Sequence, residues 1–168
     1  MGFLVDVKDP GVSIEPVSCM GARTMGTGNI KLTDVCLTDD RILCQADGLY
    51  HAGRIYRDRR AQDAAFLVGM TQAILHDALD DLSKRVRYRK PVLDYPNVQR
   101  SIGEMQEKLE AARSLTYRAL AFENPDPVFD ALGSMAKHFI TETAIEIGKN
   151  LLCLVGGEAY RKDRPYER

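Results

Sequence analysis

In Val98-Gln-Arg-Ser-Ile102-Gly-Glu-Met105-Gln-Glu-Lys-Leu109-Glu-Ala-Ala112-Arg-Ser-Leu-Thr116-Tyr-Arg-Ala119, the numbered residues are small or apolar and recur at alternating spacings of four and three. That rhythm is the turn of an α-helix, so these side chains line one face while Arg100, Glu104, Lys108 and Arg118 fall on others. The spacing predicts a bundle helix over Asn97 to Ala121. The segments on either side repeat it. From Ile55 to about Val86 the stripe is Ala64, Val68, Thr71, Leu75, Leu79, Leu82 and Val86. From Asp126 to Val155 it is Leu132, Met135, Phe139, Thr143, Ile147 and Leu151, with Asn124-Pro-Asp-Pro127 supplying a break and a restart. Three long helices with short connections are expected to pack antiparallel.

The first forty-odd residues have a different texture. Phe3 to Val7, Val12 to Val17 and Asn29 to Leu37 are short β-rich runs, separated by Asp9-Pro-Gly11, Met20-Gly21 and Gly26-Thr-Gly28. Three or four such strands would leave open sheet edges and little core of their own, so another element is expected to cover them.

Composition restricts the chemistry without choosing it. The 168 residues suffice for one packed domain and a smaller appendage, and a net charge of −1 with scattered Lys and Arg argues against a general nucleic-acid surface. Cys19, Cys36, Cys44 and Cys153 lack the close spacing of metal ligands, and the chain opens on a strand, which reads as reduced cysteines in the cytoplasm. Apolar stretches are too often interrupted by charge to cross a bilayer. His76 with Asp80 and His138 with Glu142 are helical neighbours, yet neither histidine follows a glutamate at the three-residue spacing of di-iron bundles; no metal is assigned.

Two motifs point to a ligand. Arg85-Val-Arg-Tyr-Arg-Lys-Pro-Val92 is a cationic knot between two helices, and Gly156-Gly-Glu-Ala-Tyr160 stops the third. Guanidinium groups are planar, permanently charged and bidentate, which suits a pyrophosphate, and Tyr88 offers a ring to a base. Together they suggest a dinucleotide cofactor. The same arginines also read as cations at a helix end, offsetting its dipole, and the glycine pair also reads as a simple helix stop. Arg57-Asp-Arg-Arg60 reads first as a salt-bridged helix start.

The order of pieces adds information. Asp9-Pro-Gly-Val12, Met20-Gly-Ala-Arg23 and Leu32-Thr-Asp-Val35 lead into the first helix, then come the cationic knot, Tyr95 to Gln99, Glu110-Ala-Ala-Arg113 and Met135-Ala-Lys137. Gly156-Gly-Glu-Ala-Tyr160 and Pro165-Tyr-Glu-Arg168 close the run. This series resembles the acyl-CoA dehydrogenase family, from the middle of its β-domain to partway through its C-terminal helical domain. The resemblance implies a mainly α fold, an antiparallel helical bundle over residues 49–168 preceded by a few strands of a partial β-domain over residues 1–48.

It also implies FAD. In the family an Arg-x-Gln-Phe-Gly turn binds the FAD pyrophosphate of a neighbouring subunit, and Arg85, Arg87, Tyr88 and Arg89 occupy those places. Arg85 keeps the role and Tyr88 replaces a phenylalanine, while Arg87 and Arg89 depart from Gln and Gly; the lost glycine is expected to alter the turn. Cys153 stands where the family has a cofactor-contacting Gln, Gly156 and Gly157 match its glycine pair, and Ala159 replaces a further glycine. By the same matching Arg60 is a substrate-binding candidate. The family's catalytic glutamate lies either beyond Pro-x-Glu-Arg or at the place of Arg59, and arginine cannot abstract a proton, so no catalytic base is assigned. Asp58 and Asp63 project elsewhere on the helix. The expected function is a share of an FAD site in an acyl-thioester α,β-dehydrogenase, on coenzyme A or a carrier protein, completed by a second copy or a partner chain. The competing expectation is a non-catalytic assembly protein of the same fold.

Overall fold

The computed structural model describes residues 1–21, 25–121 and 127–167, with the side chains of 127–130 and 167 outside that description. The chain forms two compact units, Met1–Ile55 and Tyr56–Glu167.

The first unit is built from paired strands. Strands β1 (Gly2–Phe3) and β4 (Ile42–Cys44) are antiparallel neighbours, as are β2 (Val12–Val17) and β3 (Thr27–Leu32). In the second pair Val12 faces Leu32 and Ile14 faces Ile30, while Ser13 faces Lys31 and Glu15 faces Asn29. Because strand side chains alternate, one face of this hairpin is apolar and the other polar. The turn before β2 depends on Gly11, whose φ is +88° and whose added Cβ would sit 2.1 Å from the Thr33 carbonyl oxygen. A salt bridge from Arg41 holds Asp9 beside it. Asp9 also accepts from the Asp6 amide at 2.9 Å. That backbone bond and then the Arg41 guanidinium hold its carboxyl below the usual range.

Three long helices follow, α1 (Gly48–Lys84), α2 (Pro96–Leu120) and α3 (Pro127–Val155). Pro96 opens α2, where a missing N–H costs nothing. Contacts fix the directions. Arg60 Nη1 donates to Ser134 Oγ at 2.8 Å and Arg85 donates to the Val155 carbonyl, so α1 and α3 run the same way. Helix α2 runs back between these two directions, tied to α1 by Arg113 to Gln72 and to α3 by Lys108 to Glu146. Leu75, Met105, Leu109, Ile140, Ile147 and Leu151 fill the core at no more than 2% exposure. Each such burial stabilises by about 1.5–3 kcal/mol, and this packing of one face, more than helix propensity, holds the helices in place. Buried Thr71 and Thr116 return their hydroxyls to the carbonyls of Leu67 and Ala112, both at 2.7 Å. No described helix is long and apolar enough to cross a membrane.

The mainly helical bundle with a few short strands is as the sequence implies, and several details differ. Helix α1 starts at Gly48 rather than Ile55 and ends before Val86, which is exposed in a strand. The face of α3 is rotated. Met135 and Phe139 are 55% and 39% exposed, and Ala136 and Ile140 hold the core positions instead. Leu79 is only half-buried because Ala78 takes the inner place. The expected strands Phe3 to Val7 and Asn29 to Leu37 are shorter and shifted, and β4 was not anticipated. The expected break at Asn124 to Asp126 and the Ala22-Arg23 motif lie outside the described residues.

Candidate functional site

The cationic knot is a hairpin. Strands β5 (Val86–Arg87) and β6 (Lys90–Pro91) pair antiparallel, Val86 with Pro91 and Arg87 with Lys90. Tyr88 and Arg89 form the two-residue loop with φ of 47° and 75°. Two positive φ values in succession define a type I′ turn, whose twist suits a tight hairpin and whose second position favours glycine. The missing glycine therefore leaves the turn in place and puts the strain on Arg89. The base of the hairpin is secured by the Val92 amide to the Arg85 carbonyl at 2.8 Å and by Tyr95 Oη to the Arg87 carbonyl at 2.8 Å. Lys90 Nζ lies 4.1 Å from the Tyr95 ring centroid, a cation–π contact. Tyr88 projects from the tip, 92% exposed.

A cleft of about 600 Å³ opens where the end of α1, the hairpin and the short 3₁₀ segment Gly156–Tyr160 meet. Its charged lining sorts itself into pairs. Lys84 bonds Asp80 at 2.5 Å; Arg164 reaches Asp81 at 3.3 Å and Glu158 at 3.8 Å. Asp81 also accepts from Tyr166 Oη at 2.6 Å. Burial first, and then the Asp81 carboxylate, push the Tyr166 hydroxyl well above its ordinary pKa, so it stays a donor at neutral pH. Arg85 and Arg87 also line this cleft and make no ion pair among the described residues. Arg85 gives one N–H to the Val155 carbonyl at the negative end of α3, and Arg87 gives one to the Val86 carbonyl at 3.5 Å.

The glycine pair divides in role. Gly156, at φ +69°, makes the left-handed step that ends α3. Gly157 is neither left-handed nor crowded: a Cβ there would meet nothing within 4 Å. Nothing in the packing of this chain requires its missing side chain. Cys153 is exposed on the last turns of α3.

Arg85, Arg87, Gly156 and the tip residue Tyr88 are thus gathered at one end of the bundle. Arg60 is not among them. It lies a third of the way along α1, separated from the end of that helix at Lys84 by about 36 Å at ~1.5 Å per residue. Arg59, at the family's alternative place for a base, pairs with Asp63 at 3.5 Å. The sequence reading missed the cluster of Asp81, Glu158, Arg164 and Tyr166, which is assembled from residues some eighty positions apart. Its one local signal was Asp81 standing four residues before Arg85, an ideal helical ion-pair spacing that is not used. Among the described residues no group of His, Cys, Asp and Glu is placed to hold a metal ion.

Residues 46–168 match the family model of the acyl-CoA dehydrogenase C-terminal domain. The 3-(aryl)acrylate reductase of Clostridium sporogenes is 32% identical over 168 residues, which is 99% of this chain and 45% of that protein. The acyl-CoA dehydrogenase of Bacillus subtilis is 30% identical, over 99% of this chain and 44% of its own length. Butyryl-CoA dehydrogenase from Megasphaera elsdenii shares the fold at a TM-score of 0.90 and 24% identity, over 99% of this chain and 44% of that one. The chain therefore spans less than half the length of these relatives.

Proposed function

Given that this chain belongs to the acyl-CoA dehydrogenase family, we propose that it contributes one part of an FAD site to an acyl-thioester dehydrogenase, completed by a second copy or a partner chain. The observation that carries this reading is the charge sorting of the cleft: every lining carboxylate is engaged by Lys84 or Arg164, which leaves the Arg85 and Arg87 guanidiniums for an external anion. Two unneutralised forks fit a pyrophosphate, the group at the centre of FAD. The exposed Tyr88 ring suits an adenine face, and the open space at Gly157 admits a ligand close to the backbone.

Bound FAD would supply the acceptor for a hydride from the acyl chain. The chain's own residues bind and orient: Arg85 and Arg87 the phosphates, Tyr88 the base, Gly156 and Gly157 the backbone approach, with Cys153 at the cofactor edge and Arg60 toward the thioester. The distance between Arg60 and the cleft is why one copy cannot present both groups to one small region, and why a second chain belongs in the proposal. In this reading residues 1–48 belong to the β-domain, 49–168 to the helical domain, and the assembly works in the cytoplasm on coenzyme A or carrier-protein thioesters. No residue of this chain is assigned as the proton acceptor, since an arginine side chain, the kind at position 59, has no acceptor to offer.

Arg59 in a salt bridge and Arg85 on a helix end also favour a second reading, a non-catalytic assembly protein that keeps the bundle. Light scattering with a flavin absorbance spectrum on the same peak, with and without added FAD, separates the two. A flavin-bearing oligomer supports the FAD site; protein that stays flavin-free at saturating FAD overturns it for this chain by itself.

A further inference from the structure

Asp81 lies in the last turn of α1 and Arg85 follows its last residue, at the i, i+4 spacing and in the order that favours an ion pair, and the Arg85 amide still donates to the Asp81 carbonyl at 3.0 Å. The equivalent pair one residue earlier, Asp80 with Lys84, does form. Asp81 and Arg85 do not pair: Arg85 is turned to the Val155 carbonyl, and each Asp81 oxygen meets a different donor. Oδ1 accepts from Arg164 Nη1 at 3.3 Å and Oδ2 from Tyr166 Oη at 2.6 Å. Both donors come from the segment after α3, beyond the Gly156–Tyr160 turn, and the Tyr166 ring is buried at 7% exposure. That burial fixes where the hydroxyl can reach.

We propose that Tyr166 and Arg164 are positioning residues that occupy Asp81 and thereby keep Arg85 unneutralised, setting the affinity of the cleft for a phosphate-bearing ligand. The ligand class rests on the FAD-site reading above; the competition for Asp81 does not. If the two donors are withdrawn, the freed carboxylate turns to Arg85, four residues on, since Lys84 is held by Asp80. A guanidinium held by its own carboxylate gives up its fork and much of its net charge, both of which an incoming phosphate needs. The segment after α3 then controls anion binding through Asp81.

The test uses the full chain, inorganic pyrophosphate as probe, and two readouts: calorimetric affinity, and the NMR signals of the Arg85 guanidinium, assigned by their loss in Arg85→Lys. Tyr166→Phe combined with Arg164→Gln keeps the ring and most of the bulk. In it the Arg85 signals should shift to those of a carboxylate-paired arginine, and pyrophosphate affinity should fall about tenfold, the factor of one lost charge-assisted contact. Adding Asp81→Asn should return both readouts toward wild type, which a merely structural role of Tyr166 would not produce. The single variants guard against a double variant that fails to fold, and each should move both readouts part of the way. Unchanged Arg85 signals in folded variants, or a loss of affinity that Asp81→Asn does not rescue, would overturn the proposal. Wild-type protein that does not bind pyrophosphate would overturn the anion-site reading, while the Arg85 signals still decide whether Tyr166 and Arg164 hold Asp81 away from it.

Discussion

Arg89 carries the clearest local strain in the second unit, and replacing it isolates that strain. Its φ of 75° lies in the left-handed region, which costs an L-residue roughly 1–2 kcal/mol and glycine almost nothing. Arg89→Gly removes that cost, and the greater freedom of glycine in the unfolded chain returns about 0.5–1 kcal/mol of it. The balance is a gain of about 0.5–1 kcal/mol. Arg89→Ala removes the same charge beside Arg87 and Lys90 and keeps the Cβ, so the electrostatic change cancels when the two variants are compared. Only the backbone term remains between them. Urea unfolding should place Arg89→Gly about 0.5–1 kcal/mol above Arg89→Ala, and thermal unfolding should separate them by about 2–5 °C for a unit of this size. Equal stabilities, within the ~0.3 kcal/mol that such comparisons resolve, would show that the hairpin tip is not held left-handed in solution. The type I′ assignment would then fall, together with the statement that the turn survives loss of its glycine.

Leu109→Ala, at a position with 0% exposure in the middle of α2, should cost about 3–5 kcal/mol, whereas Met135→Ala on the outward side of α3 should stay within about 0.5 kcal/mol; a denaturant titration of both checks the rotated face of α3. The Tyr166 hydroxyl has a folded pKa raised above its unfolded value of about 10. Its contribution is therefore complete below pH ~10 and lost as pH rises through the higher folded value, so the wild type should lose stability in alkali with a slope that Tyr166→Phe lacks. Gly156→Ala, at φ +69°, should destabilise by about 1 kcal/mol or more in thermal unfolding, while Gly157→Ala, with open space around it, should leave stability unchanged and reduce FAD affinity where FAD binds. In any form of the protein that binds FAD, Arg85→Ala should weaken binding by at least tenfold in a flavin titration; unchanged affinity would remove Arg85 from the proposed site.

How far the sequence could be read varied with how one-sided each element is. In α2 the apolar positions occupy one face and charge fills the rest, so Val98, Met105, Leu109, Ala112, Thr116 and Ala119 were all placed inward correctly. In α3 Met135, Ala136, Phe139 and Ile140 are adjacent apolar pairs, and apolarity alone could not choose between the two members of each pair. The choice fell to the neighbouring helices, which have room for Ala136 and Ile140. The β5–β6 hairpin was illegible for a related reason. Tyr88-Arg89 carries none of the glycine or asparagine that marks a type I′ turn, and the strands on either side of it are too short to alternate visibly.

The sequence by itself determined the three helices, the β-rich runs and the family, because each of these is written in local periodicity or in residues close together in the chain. Only the tertiary structure decided which cations of the cleft are ion-paired among the described residues. Asp81 stands at ion-pair spacing from Arg85, and in the fold it meets Arg164 and Tyr166, some eighty residues further along, while Arg85 meets the Val155 carbonyl. Charge pairing depends on which groups the fold holds within hydrogen-bond reach, ~3 Å, and that is set by how helices and turns pack, which no spacing along the chain contains.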